Sequence, residues 1–170
     1  MPATVLIAFA TRYGSTREVA DAIGAALRDK GLTVDIQPAR AVRSLEACSA
    51  VVLGAPLYMF RWHADALRFI SRHRQALAAR PAAVFALGPF HDDEKEHRQA
   101  REQLDKALAQ YAWFAPKAVA VFGGKFDPAR LDFPYNLFPP LKQMPASDAR
   151  DWAAIGAWAG SLATTLPPTA

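Results

Sequence analysis

Cysteine is nearly missing from this chain: Cys48 is the only one in 170 residues. An intramolecular disulfide and any multi-cysteine zinc or iron–sulfur site are therefore excluded, and a reducing compartment fits. No apolar stretch approaches the roughly 20 residues that span a bilayer. Met1-Pro2 leads into a short apolar run that soon meets Thr11-Arg12, without a charged leader or cleavage site. A cytoplasmic protein is expected, with contact at the inner membrane face left open. Neither charge sign dominates, since Lys+Arg 20 against Asp+Glu 16 gives 20 − 16 = +4. That balance is too weak to announce nucleic-acid binding, and no nucleic-acid partner is expected. His91 and His97 are too isolated for a metal site.

Three nucleotide or hydrolase signatures are also missing. No G-x-G-x-x-G follows the first apolar run, which disfavours a dinucleotide Rossmann site, and no G-x-x-x-x-G-K-[ST] is present for ATP or GTP. The absence of G-x-S-x-G removes the usual α/β-hydrolase site. A receiver domain would need carboxylates at the ends of its first and third strands, where this chain has Ala10-Thr11 and Gly54-Ala55-Pro56.

What is present is a chain 52% hydrophobic and 21% charged, enough for one soluble domain over 1–170 with a sizeable core. Apolar runs rich in Val, Ile, Leu and Phe recur at 3–9, 32–36, 50–54, 82–87 and 118–122. They are mostly continuous, as strands of a parallel sheet covered on both faces are; Val34 and Ile36, alternating with Thr33 and Asp35, mark an edge strand. Helical spacing fills 17–30, ending at Gly31, then 64–79 and 95–111. A last helix is expected to begin near the capping pair Ser147-Asp148 and to bury Trp152, Ile155, Trp158 and Leu162 on one stripe. This pattern predicts an α/β fold, a doubly wound five-stranded parallel sheet in the order 2-1-3-4-5. One segment, 123–146, breaks the repeat with Pro128, Pro134, Pro139, Pro140 and Pro145 and the aromatics Phe126, Phe133, Tyr135 and Phe138. It predicts a long ordered insert after the fifth strand, at about 125–146.

In such a sheet the ligand lies beyond the carboxyl ends of the strands. The loop after the first strand is Thr11-Arg12-Tyr13-Gly14-Ser15-Thr16. Hydroxyls and a glycine, set before a helix N-terminus with its free N–H groups and favourable dipole, suit a phosphate. The plainer alternative is that Ser and Thr merely cap the helix while Gly14 merely turns the chain.

The spacing Phe9-x-Thr11-x-x-Gly14-x-Thr16, followed by Ala20 and Ile23, resembles the flavodoxin phosphate-loop signature, departing from it at Ala8. The resemblance implies FMN, with Thr11, Arg12, Tyr13, Gly14, Ser15 and Thr16 around its phosphate. Two further strand-end loops then supply walls for the ring: Pro56, Leu57, Tyr58, Met59, Phe60 and Trp62 after the third strand, and Gly88, Pro89, Phe90 and His91 after the fourth. Aromatic and apolar side chains exposed at strand ends are unusual unless they meet a ligand or partner.

The likeness extends further, through Val51 to Tyr58, Arg61-x-His63, Gly123-Gly124-Lys125 and Asp151-Trp152. These stretches are similar to the flavodoxin-domain family that includes menaquinone-dependent protoporphyrinogen oxidase. The family likeness implies an FMN oxidoreductase of heme biosynthesis that takes electrons and protons from protoporphyrinogen IX and passes them to a quinone. The flavin would carry the redox chemistry, so no protein acid or base is expected. The apolar string Phe133, Tyr135, Leu137, Phe138, Pro139, Pro140 and Leu141 then fits a membrane surface, or else a lid on the protein's own core. Arg61, Arg68 and Arg72 are expected on one helix face beside the ring loop, to draw propionates or anionic lipid or simply to meet solvent. Two alternatives remain: an electron-transfer flavodoxin or general quinone reductase, and a cofactor-free interaction module. A net charge of +4 makes docking on basic partners, the usual mode of a shuttle, less natural.

Overall fold

The computed structural model describes residues 4–58, 61–89, 91, 93–131, 137 and 139–166. Five parallel strands form the main sheet: β1 (Thr4–Phe9), β2 (Thr33–Pro38), β3 (Ala50–Tyr58), β5 (Ala82–Leu87) and β6 (Ala118–Phe122). Their spatial order is β2-β1-β3-β5-β6, the predicted doubly wound order, with a two-residue strand β4 (Arg61–Trp62) folded back antiparallel on the end of β3. β2, its residues mostly exposed or half-buried, is the edge that its alternating pattern predicts.

Alternation along each central strand sends successive side chains to opposite faces, which builds two cores from one sheet. Leu6, Leu53 and Val84 meet Phe69, Ile70 and Leu104 of α2 (Ala64–Arg72) and α4 (Glu94–Leu108) on one side. Ile7, Val52 and Phe85 meet Ile23, Leu27, Ile155 and Leu162 of α1 (Ser15–Asp29) and α6 (Trp152–Thr165) on the other. The Phe85 ring lies across Gly54 of the neighbouring strand, where a Cβ would fall 1.9 Å from the ring. Only glycine fits that point of β3.

Four expectations need correction. β3 continues to Tyr58, because Leu57 and Tyr58 pair with Trp62 and Arg61 of β4; what the sequence presents as an open loop is a hairpin. The helix expected over 64–79 divides at His73, whose φ of −105° and ψ of 29° separate α2 from α3 (Arg74–Ala78). Ser147-Asp148 does not start the last helix but forms strand β8, antiparallel to β7 (Lys125–Phe126). Asp151 caps α6 instead, its side chain accepting from the Ala154 amide at 3.0 Å, and Trp152 is 44% exposed instead of joining the stripe.

The β7–β8 hairpin closes the base of the proline-rich insert. Within the insert lie a 3-10 turn (Pro128–Arg130), capped by the Asp127 side chain, and the short helix α5 (Pro139–Gln143). Leu137 is 66% exposed. Phe133, Tyr135 and Phe138 lie outside the described residues. Among the described residues, no helix is long and apolar enough to cross a membrane.

Candidate functional site

The carboxyl ends of β1, β3 and β5 lie side by side, Phe9 opposite Gly54 and Pro56 opposite Leu87. The loop from Thr11 to Ser15 crosses this edge. Gly14 makes the turn at φ 91°, a left-handed conformation that an L side chain resists. The Thr11 hydroxyl oxygen accepts the Gly14 amide at 2.8 Å, which tightens the turn and leaves the Thr11 O–H available to donate elsewhere.

Helix α1 has no side-chain cap among the described residues. Among the described residues neither Ser15 nor Thr11 bonds the first amides of the helix, which lie at its positive end. Thr16 is 0% exposed, and its hydroxyl has no hydrogen-bond partner among the described residues. A buried hydroxyl costs free energy unless it is paired. An anion with several acceptor oxygens at this helix terminus would satisfy the Thr16 hydroxyl and those first amides together.

Cations and aromatics surround the loop. The Arg12 Nε donates to the Tyr13 hydroxyl at 3.1 Å, with the guanidinium 5.7 Å from that ring's centre. Arg17 lies 6.0 Å from the centre of the Phe9 ring. Tyr13 meets Tyr58 edge to face at 6.1 Å, which joins the first-strand loop to the end of β3. This contact joins two of the three loops that the sequence singles out.

The remaining predicted residues divide by exposure. Pro56 is buried, and its carbonyl accepts the His63 amide at 3.1 Å. Leu57 and Trp62 are corrections to the expected outward-facing wall: both side chains are buried in the core that α2 and α4 cover. Trp62 is 2% exposed, its indole N–H donating to the Ala55 carbonyl at 3.0 Å. Tyr58 is half-buried. Met59, Phe60 and Phe90 lie outside the described residues. Gly88 and Pro89 adjoin the end of β6, the Gly88 amide donating to Phe122 and the Pro89 carbonyl accepting from Gly124 at 2.6 Å. His91 is exposed, with its amide and ring both held by the Glu96 carboxylate.

Arg61, Arg68 and Arg72 do not share a helix face, since Arg61 belongs to β4. Arg68 and Arg72 line a shallow groove with Leu67, Ser71 and Tyr111. Arg68 pairs there with Asp65 at 3.3 Å.

Two residues of this region have roles that sequence reasoning does not assign. His63 caps α2, its Nδ1 accepting the Asp65 amide at 3.0 Å. Burial holds its imidazole below the ordinary value, opposed by Asp65 and aided by Arg12. The second is Arg150, whose guanidinium reaches the carbonyl of Ser15 from 135 residues away. No local pattern around Arg150 signals this; it depends on how β8 returns to the sheet.

The family model of the flavodoxin domain matches residues 6–135. Among curated proteins, the chain is 28% identical over 122 residues to the protoporphyrinogen IX dehydrogenase (quinone) of Escherichia coli strain K12, covering 70% of this chain and 67% of that one. Among solved structures, a Streptococcus pneumonia TIGR4 flavodoxin superposes with a TM-score of 0.60 at 20% identity, covering 96% of this chain and all of that one. A point mutant of flavodoxin from Pseudomonas aeruginosa gives 0.59 at 18% identity, with 96% and 98% covered. These structural likenesses concern the fold.

Proposed function

The chain belongs to the flavodoxin domain family, and on that premise we propose that it is an FMN-dependent oxidoreductase of heme biosynthesis, carrying electrons from protoporphyrinogen IX to a quinone. The observation that carries the FMN reading is the buried Thr16 hydroxyl, unpartnered among the described residues, beside the uncapped start of α1. The donor and acceptor are supported by the name of the Escherichia coli relative and by a net charge of +4 that suits anionic substrates better than basic protein partners.

Thr11, Ser15 and Thr16, with the first amides of α1, would bind the phosphate oxygens, and the Gly14 turn lets the backbone close around them. Arg12 and Arg17 add positive charge near the same loop. Tyr13 and Tyr58 provide aromatic surface at the ring end, while the backbone bonds of Pro56, Gly88 and Pro89 to His63, Phe122 and Gly124 fix the strand ends beside it. When bound, FMN supplies the two-electron redox chemistry. The protein's part is to hold it, orient it and shield it. The exposed Leu137 on the insert favours a peripheral approach to the membrane that stores the quinone.

The test is an anaerobic assay of the FMN-loaded protein with protoporphyrinogen IX and a soluble menaquinone analogue. Porphyrin fluorescence should rise only when flavin and quinone are both present. Quinone reduction with a nicotinamide donor but no porphyrin formation would favour a general quinone reductase instead.

A further inference from the structure

At the phosphate loop, the side chain of Arg150 is 4% exposed although both of its carboxylate partners lie at the surface. Its Nε and Nη2 donate to the two oxygens of Asp148 at 2.8 Å each. Its Nη1 lies 3.5 Å from the Ser15 carbonyl and 3.4 Å from a carboxylate oxygen of Glu18, in the first turn of α1. The guanidinium also covers the Trp152 ring at 4.8 Å. One cation thus ties three segments: strand β8, the start of α6 and the N-terminal turn of α1.

The backbone beside it continues the connection. The Ala149 amide donates to Gly124 at 2.9 Å, and the Gly124 amide donates to Pro89 at 2.6 Å. Gly123 allows this approach, since a Cβ there would lie 2.0 Å from the Ala149 carbonyl oxygen. A chain of contacts therefore runs from Pro89, through the base of the insert, to Ser15. It follows the carboxyl edge of the sheet, from the ring end of the site to its phosphate end.

Glu18 supplies the physical reason for a cation at this point. A carboxylate in the first turn favours the helix dipole, but the same charge repels a phosphate bound at that terminus. We propose that Arg150 is a positioning residue for the phosphate end of the flavin site: it holds Ser15 and pairs Glu18, so that selectivity for the phosphorylated flavin depends on the base of the insert. The inference rests on the FMN reading above and deepens it. Arg150 acts through Ser15 and Glu18, without itself touching the cofactor.

The experiment compares FMN and riboflavin affinities of the flavin-free full-length protein by quenching of flavin fluorescence. Arg150→Met keeps most of the side chain's bulk and removes its charge and fork. FMN affinity should fall by about tenfold or more, the loss of one charge-assisted interaction, with riboflavin affinity little changed. Adding Glu18→Gln to Arg150→Met should restore part of the FMN affinity, because the unpaired carboxylate is gone. If Arg150→Met does not fold, Asp148→Asn loosens the same guanidinium while sparing its charge and should give a smaller loss, again confined to FMN. An equal loss for both flavins, or no loss for either, overturns the proposal. A wild-type protein that does not prefer FMN overturns the FMN reading itself, which keeps the two failures distinct.

Discussion

Thr16 carries opposite demands on stability and binding. Its hydroxyl is buried without a partner among the described residues, so Thr16→Val, nearly the same in shape, should leave unfolding stability unchanged or raise it by up to about 1 kcal/mol. The same change removes a donor from the phosphate site and should weaken FMN by about 1–3 kcal/mol while sparing riboflavin. Denaturation and flavin titration of one variant check both signs; a variant destabilised and unaltered in FMN affinity would place Thr16 in the scaffold alone. Gly14→Ala meets no neighbour within 4 Å, yet must hold φ 91°, which should cost about 1–2 kcal/mol of stability. The loop is legible in the sequence because its residues are contiguous and their spacing fixes a turn before a helix. Arg150 is not, because its role arises from a return of the chain that no local period encodes.

Elements divide in the same way. The five main strands are visible as apolar runs because burial on both faces leaves few polar positions to interrupt them. The β3–β4 hairpin is not, since its apolar residues resemble a ligand-facing loop until pairing turns Leu57 and Trp62 inward. The break at His73 is hidden for a related reason: the apolar spacing persists across it, and only the backbone angles change. Ser147-Asp148 has the composition of a helix cap, yet the cap falls at Asp151 and the pair joins a strand. Packing between elements gives a sharper prediction. Gly54→Ala would drive a methyl into the Phe85 ring and should destabilise by about 1–3 kcal/mol or more. Phe85→Leu in the same chain should recover part of that loss if the clash is its cause. Thermal unfolding of the two single variants and the pair decides it.

For the whole molecule, burial sets how stability varies with pH. Burial lowers the pKa of both His63 and His73 from the ordinary value of 6.5. Below about 6.5 the unfolded chain takes up protons that the folded chain still refuses, so stability is full above that value and falls with pH beneath it. The unfolding temperature should be flat from about pH 8 to 7 and drop toward about pH 5.5, and His73→Gln should flatten that drop; an unchanged slope would remove His73 as a cause. Ligand binding acts on the same equilibrium. FMN at about 100 times its Kd should add roughly 2.7 kcal/mol, raising the unfolding temperature by roughly 5–11 °C for a chain of this size.

Everything proposed for this molecule depends on the Thr11 to Thr16 loop holding a phosphate. FMN and riboflavin share the ring and differ in that group, so titrating the flavin-free protein with each under the same conditions isolates the loop's contribution. Much tighter binding of FMN is the predicted result, and equal affinities, or no binding of either, would contradict it.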